Sequence, residues 1–259
     1  MDLLKSIEML GVKPNNIYFL GKIYSSSNEV ITKIIASEYN YQETSEPYHI
    51  GSFSECFKFD IKKLWQMVIN DLSHKNIDGL IILDDGGCCI SSVPTFIVEK
   101  YKVCGIEQTS SGLHRIKRNN QNVPVVAVAS SAAKQLIESN MIAEATVHKI
   151  SSLFSLYSNK LSCAVVGLGV IGIAVAHKLM SMGHNVIVYD IDQKKIKHTD
   201  DFEYATDINS VFTTADYIFG CSGDDITKNL DVSNLTTNKF CISCSSHDKE
   251  FLTLIKKNS

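Results

Sequence analysis

The sequence predicts an α/β fold built from two doubly wound parallel-sheet domains, and three observations carry that expectation. Short apolar runs alternate with runs of helical periodicity along the whole 259 residues, the pattern of strand–helix–strand units and parallel sheets. Several apolar runs end abruptly in acids, hydroxyls and glycines, and the carboxyl end of a strand is where open α/β sheets place ligands. In the third, Leu161 to His177, an apolar run, a three-glycine turn and an amphipathic run follow one another without a gap. That stretch reads as strand, turn and helix, and makes the C-terminal domain Rossmann-like.

Gly167, Gly169 and Gly172 stand in G-x-G-x-x-G spacing. The first permits the tight turn, the second lets backbone approach a pyrophosphate, and the third lets helix pack on strand. Val170 and Ile171 open the helix, whose N-terminal amides and positive dipole end would point at that phosphate. Gly183 ends the helix, and Asn185-Val-Ile-Val-Tyr189 gives a buried strand with Asp190 at its tip, about 20 residues beyond the turn as the motif requires. Asp190 would accept hydrogen bonds from both hydroxyls of an adenosine ribose and repel a 2′-phosphate, so the expected cofactor is NAD and not NADP. A doubly wound domain that kept the turn and lost the ligand accounts for the same residues less well.

With 44% hydrophobic and 20% charged residues, a folded globular chain is expected. A net charge of −3 without a basic block gives nucleic acid no electrostatic footprint, and Lys256-Lys257 is too short a tail to change that. Acids and lysine interrupt the apolar residues of the first helix, unlike a secretory signal, and no apolar run approaches the roughly 18 residues of a membrane span. No membrane partner and a cytoplasmic location are therefore expected. The eight cysteines (56, 88, 89, 104, 163, 221, 241 and 244) sit mostly in strand-like runs, which suits buried reduced thiols. Cys241-Ile-Ser-Cys244 lies inside a strand and lacks a second pair, so neither zinc nor a redox dithiol is expected.

Taken in order, Asn16–Leu20 is a short strand, and Asn28–Ala36 carries Val30, Ile31, Ile34 and Ile35 at helical spacing. Tyr48–Phe53 is a weaker strand, and Asp60–Leu72 a helix with Ile61, Leu64, Trp65, Val68 and Ile69 on one side. Asp78-Gly-Leu-Ile-Ile-Leu-Asp-Asp-Gly-Gly87 is a strand ending in two acids and two glycines. Turn chemistry and ligand binding both account for Asp84 and Asp85. Val103–Ile106 is a strand leading into Gln108, Thr109, Ser110 and Ser111, whose hydroxyls would cap a helix or bind a ligand. After the strand Val123–Val128, Ser130 and Ser131 cap a helix that carries Lys134 and Glu138 four apart, by spacing a surface ion pair. Helical residues 141–156 lead to Tyr157-Ser-Asn-Lys160, the expected boundary between a domain at 1–156 and a nucleotide-binding domain at 157–259. Ala215–Gly223 is a strand opening onto Cys221, Ser222 and Gly223, and Lys239–Cys244 a strand that ends before His247.

Several of these stretches together resemble the adenosylhomocysteinase family: Leu83-Asp-Asp-Gly-Gly87, Gly105-Ile-Glu-Gln-Thr-Ser-Ser-Gly-Leu-His-Arg115, Val123-Pro-Val-Val-Ala-Val128, the glycine turn with Tyr189-Asp-Ile-Asp192, and Gly220-Cys-Ser-Gly223. The resemblance runs from about Asp78 to His247. It implies a bound NAD reduced and reoxidised within each turnover, so that a 3′-hydroxyl becomes a ketone, a 5′ group is eliminated, water adds and the ketone is reduced back. By motif it makes Lys134 the lysine beside the 3′-carbon, places Asp85 near the reacting carbons, and puts Glu138 and Gln108 on the sugar. Thr109, Ser110 and Ser111 would touch NAD from the first domain, and His247 would lie near the nicotinamide. Gln108, Ala129 and Ser139 stand where the family has a glutamate and two asparagines, and the family's C-terminal arm has no counterpart before Ser259.

A kept cofactor turn beside an altered pocket points to retained redox chemistry on a different small molecule, nucleoside-like or sugar-like. The expectation is an NAD-dependent oxidoreductase, or a hydrolase with an internal redox cycle, in which 1–156 supplies the substrate and catalytic groups. The alternative is a non-catalytic NAD- or nucleoside-binding relative. An exposed apolar face on either domain would support a homodimer.

Overall fold

The computed structural model describes residues 2–22, 26–45, 53–119, 122–154, 160–196, 201–234, 238–245 and 250–258. They form two compact units, Met1–Ala129 and Ser130–Ser259.

The N-terminal unit contains α1 (Asp2–Met9), β1 (Tyr18–Leu20), α2 (Asn28–Ala36), β2 (Asn40–Gln42), α3 (Phe53–Leu72), β3 (Gly79–Asp84), α4 (Thr95–Lys100), β4 (Lys102–Glu107), α5 (Ser110–Asn119) and β5 (Val125–Ala127). Its parallel strands fall in two sheets, β1-β2 and β3-β4-β5. The α3 stripe Ile61, Trp65, Val68 and Leu72 shares a core with Ile82, Ile90, Ile97 and Val103, the four-residue recurrence that keeps one face of a helix inward. Trp65 is part of that core and donates its indole N–H to Ser92 Oγ at 3.3 Å. The strand expected at Tyr48–Phe53 falls almost wholly outside the described residues; Phe53 opens α3.

The C-terminal unit contains a π-helical turn (Lys134–Glu138), α6 (Ser139–Phe154), β6 (Ser162–Val166), α7 (Val170–Ser181), β7 (Asn185–Tyr189), α8 (Gln193–Ile196), β8 (Glu203–Tyr204), α9 (Ile208–Thr214), β9 (Tyr217–Gly220), β10 (Phe240–Ser243) and α10 (Leu252–Asn258). Its sheet is parallel throughout, in the order β10-β9-β6-β7-β8. With β6 as first strand this is the 3-2-1-4-5 order of a dinucleotide-binding fold, and its switch point lies between β6 and β9. Side chains alternate across the strands: Cys163, Val165, Val188 and Phe219 meet Val147, Val175 and Leu179 on one face, while Ala164, Val166 and Ile218 meet Val211 and Phe212 on the other. Phe212 and Phe219 are wholly buried, and truncating either to alanine costs about 3–5 kcal/mol by cavity formation.

The sequence set the domain boundary at Tyr157–Lys160, but the compact units divide between Ala129 and Ser130. The reason is packing. Ala143 and Val147 of α6 enter the core of α7, and Lys178 of α7 pairs with Glu144 of α6 at 2.7 Å. All eight cysteines are free thiols; Cys163 is buried and the other seven are half-buried rather than buried. Cys241 and Cys244 pack on opposite faces of the sheet, so they do not form a facing pair. Among the described residues no cluster of three or more His, Cys, Asp or Glu could hold a metal, and no described helix is long and apolar enough to cross a membrane.

Candidate functional site

The glycine turn ends β6 at the switch point. Gly167 has φ +98°, and a Cβ there would lie 2.6 Å from the amide nitrogen of Ser222. A Cβ on Gly172 would lie 1.9 Å from the carbonyl oxygen of Gly167, so the helix sits tight on its own turn. Gly169 differs: a Cβ added there meets nothing within 4 Å. It is also the N-cap of α7 and contributes no side-chain acceptor. Gly169 and Val170 are exposed, so the first turn of α7 begins at an open surface without a capping side chain, which is the arrangement that receives a phosphate. On the neighbouring strand, the Cys221 N–H donates to the Val166 carbonyl at 2.7 Å, and Ser222 and Gly223 are exposed beyond it.

Asp190 is 4% exposed. Its carboxylate accepts from the amides of Leu168 (2.7 Å) and Asp192 (2.8 Å) and from Lys195 Nζ (2.9 Å). Burial alone would raise its pKa, but these backbone donors and the Lys195 ammonium outweigh that and hold the carboxyl below its usual range. Three of about four acceptor positions are therefore filled. A ribose would use the one that remains or take the place of Lys195, a residue the sequence reading missed.

A second buried carboxylate lies under the β9 loop. Glu250 is wholly buried and accepts from the Gly223 amide at 3.1 Å and from the hydroxyls of Ser243 and Ser245. Cys221 and Cys244 share a hydrogen bond which, with burial, holds the Cys221 thiol far above its usual range, so it is no thiolate nucleophile.

In the N-terminal unit the carboxyl ends of β3 and β4 carry a polar cluster. Asp84 and Glu107 are register partners. Glu107 is wholly buried, and its Oε1 accepts from the amides of Gly86 (3.0 Å) and Thr109 (2.7 Å) and from Thr109 Oγ1 (2.6 Å). Burial first, with the charge of Glu107 behind it, pushes the Asp84 carboxyl upward although the Ile90 amide donates to it at 2.8 Å. Asp85 is half-exposed and pairs with Lys22 at 3.0 Å. Arg115 donates to the Gly86 carbonyl at 2.5 Å and contacts Cys88 Sγ. Thr109 Oγ1 caps α5 by accepting from the Gly112 amide at 3.0 Å, whereas Gln108, Ser110 and Ser111 are exposed.

Sequence reasoning singled out Asp85, Gln108 and Thr109 here and missed Lys22 and Glu107. One signal for Glu107 was available: a Cβ on Gly112 would lie 2.3 Å from its carboxyl carbon, so T-S-S-G marks a place where a buried acid needs room. Lys134 and Glu138 belong to the C-terminal unit, paired at 2.5 Å across the π turn, and the Ser131 hydroxyl caps that turn at the Lys134 amide (3.2 Å). His247 lies outside the described residues.

Comparison with known proteins agrees with this geometry. Residues 126–230 match the model of the D-isomer specific 2-hydroxyacid dehydrogenase NAD-binding domain. An uncharacterized protein of Mycobacterium tuberculosis is 26% identical over 250 residues, 96% of this chain and 48% of that protein, so the chain spans about half the length of that relative. The S-inosyl-L-homocysteine hydrolase of Methanopyrus kandleri is 26% identical over 144 residues, 51% of this chain and 34% of the hydrolase. Among solved structures, a candidate D-3-phosphoglycerate dehydrogenase of Ralstonia solanacearum superposes with TM-score 0.52 at 14% identity, covering 93% of this chain and 77% of that one. The dipicolinate synthase of Bacillus halodurans superposes with TM-score 0.50 at 15% identity, over 70% and 69% of the two chains. These two show a shared fold alone. The glycine turn, the strand order and the match over residues 126–230 together make the C-terminal unit a Rossmann-like NAD-binding domain, similar to that of the D-isomer specific 2-hydroxyacid dehydrogenases.

Proposed function

We propose that this protein is an NAD-dependent oxidoreductase that oxidises a secondary hydroxyl of a small nucleoside-like or sugar-like molecule, with the N-terminal unit supplying substrate-binding groups. The observation that carries the reading is the intact turn, in which Gly172 closes the helix onto Gly167 while Gly169 leaves the approach to the α7 amides open. Bound NAD supplies the hydride acceptor for the carbinol carbon.

The chain's own residues supply the rest. Lys134, released from Glu138 and having passed its extra proton to solvent, takes the hydroxyl proton as a neutral amine, Glu138 orients the neighbouring hydroxyls, and Asp85 with Gln108 holds polar groups of the substrate. With Thr109 Oγ1 already engaged by Glu107 and Gly112, Ser110 and Ser111 are the exposed hydroxyls that loop has left for a ligand. A redox-neutral version, with elimination and hydration between oxidation and re-reduction, draws its support from the likeness to an S-inosyl-L-homocysteine hydrolase.

A panel of nucleosides and polyols is incubated with the NAD-loaded protein and NADH absorbance followed. Appearance of NADH with some members supports the reading. A silent panel with NAD demonstrably bound refutes it and favours the second reading, a non-catalytic NAD- or nucleoside-binding protein. That second reading is favoured by Gln108 and Ala129, neither of which can serve as a base.

A further inference from the structure

We propose that a cavity of about 560 Å³ inside the N-terminal unit binds an uncharged amphipathic alcohol or its ketone, with the oxygen-bearing end at Lys22, Asp85 and Gln108 and a hydrocarbon body beneath α1 and α2. The volume lies within the range of small-molecule sites, about 300–1,000 Å³. Its walls are apolar and come from every layer of the unit: Ile7 of α1, Ile31 and Ile34 of α2, Phe19 of β1, and Ile61 and Leu64 of α3.

The polar lining groups gather around Lys22. Asp85 pairs with it at 3.0 Å, the Ser26 hydroxyl bonds its carbonyl at 2.8 Å, and Asp84 and Gln108 close the ends of β3 and β4. This is again the carboxyl end of parallel strands, where such folds bind ligands.

Charge decides what that end accepts. Among the described lining residues Lys22 and Asp85 neutralise one another, Asp84 gives its carboxylate to the Ile90 amide at 2.8 Å, and there is neither arginine nor histidine. An anionic head would have to separate Lys22 from Asp85 and would leave a carboxylate facing a carboxylate. A cationic head would meet the Lys22 ammonium in the same way. A hydroxyl accepts from the ammonium and donates to the carboxylate while the pair stays intact, and a carbonyl accepts from the ammonium or from the Gln108 amide. The body has to be hydrocarbon, because a polar group among Ile34, Ile61 and Leu64 would lose its water and find no partner.

Binding at this cavity does not rest on the oxidoreductase reading, and the alcohol is a ligand of the cavity rather than the nucleoside-like or sugar-like molecule oxidised. The test is calorimetry on the full chain with 1,2-octanediol, octanoate and octylammonium as probes, and with NAD measured on the same preparation. The diol is expected to bind with a Kd below about 1 mM, at least tenfold tighter than either charged probe. Val30→Trp, at the half-exposed rim of the cavity, should weaken the diol at least tenfold and leave NAD binding unchanged. Lys22→Met should weaken the diol and raise octylammonium affinity. Octanoate binding as tightly as the diol, or diol binding indifferent to both substitutions, overturns the proposal. A protein that binds the diol in this way but not NAD supports the cavity assignment while refuting the oxidoreductase reading.

Discussion

Two glycines three residues apart should both lose NAD affinity on gaining the same methyl group, but only one should lose stability. In Gly172→Ala the new Cβ starts 1.9 Å from the Gly167 carbonyl oxygen, where ordinary contact begins at 3.4 Å, so α7 has to retreat from its turn by about 1.5 Å. Both partners are main chain, Gly167 is wedged against Ser222, and the helix behind is packed through Val175 and Leu179. Overpacking of this kind costs about 1–3 kcal/mol, and NAD binding should fall with it because the amides move. In Gly169→Ala the Cβ meets nothing within 4 Å, and losing the glycine cap preference is offset by a less flexible unfolded chain, each a few tenths to about 1 kcal/mol. Stability should stay within about 0.5 kcal/mol while NAD affinity drops at least tenfold, because the methyl occupies the ground a pyrophosphate would cross. Urea midpoints and NAD calorimetry on both variants read the two effects separately. Unchanged NAD affinity in Gly169→Ala would refute the assignment of that surface to the diphosphate.

The other sites allow comparably sharp expectations. Lys134→Ala removes a half-exposed pair, so stability should change by only about 0.3–0.5 kcal/mol and NAD affinity should hold. Reduction of NAD by the true substrate should vanish, and turnover that survives would remove Lys134 from the reaction. Asp190 is held below its usual range in the folded state; its stabilisation is therefore complete above the unfolded value of about 4 and is lost as pH falls below it. Asp190→Asn should flatten the acid limb of a urea-midpoint profile between neutral pH and pH ~3 and relax discrimination against NADP. An unaltered acid limb would mean that the carboxylate does not anchor the Leu168 turn. Glu107→Ala orphans the amides of Gly86 and Thr109 at about 1–3 kcal/mol each, so a loss of roughly 3 kcal/mol or more is expected. A loss under about 1 kcal/mol would show that these loops are held by something else.

What could be foreseen was what acts locally. The helix at Asn28–Ala36 was foreseen to the residue, because its apolar spacing and its boundaries lie in the same nine positions. The glycine turn was foreseen because clashes between a missing Cβ and nearby main chain are short-range. Strand β2 was not: Asn40-Tyr-Gln42 has no apolar signature, and it pairs because Asn40 donates its backbone N–H to the Ile17 carbonyl across the β1 register. The domain boundary failed for a related reason, since the allegiance of α6 is settled by where Ala143 and Val147 find apolar partners, which spacing does not state.

The missed site residues follow one rule. Glu107 and Glu250 are both wholly buried, and each gathers main-chain amides and hydroxyls from loops at the carboxyl ends of strands: Gly86 and Thr109 for the first, Gly223 with Ser243 and Ser245 for the second. In the sequence each is an ordinary acid beside an apolar residue. The distinguishing mark is a glycine elsewhere that clears room for it, Gly112 for Glu107 and Gly220 for Glu250, where an added Cβ would lie 2.3 Å and 2.6 Å from the acid's side chain. A buried acceptor with three donors, one or two of them main-chain amides, fixes a loop more firmly than turn propensity can. The loops that would meet cofactor and substrate are thus held by carboxylates that need touch neither, and Glu250→Gln should weaken NAD binding through the Gly223 amide without removing a ligand to NAD itself. Calorimetry against Ser222→Ala, whose side chain is exposed, separates positioning from contact; equal NAD losses in the two variants would argue against a positioning role.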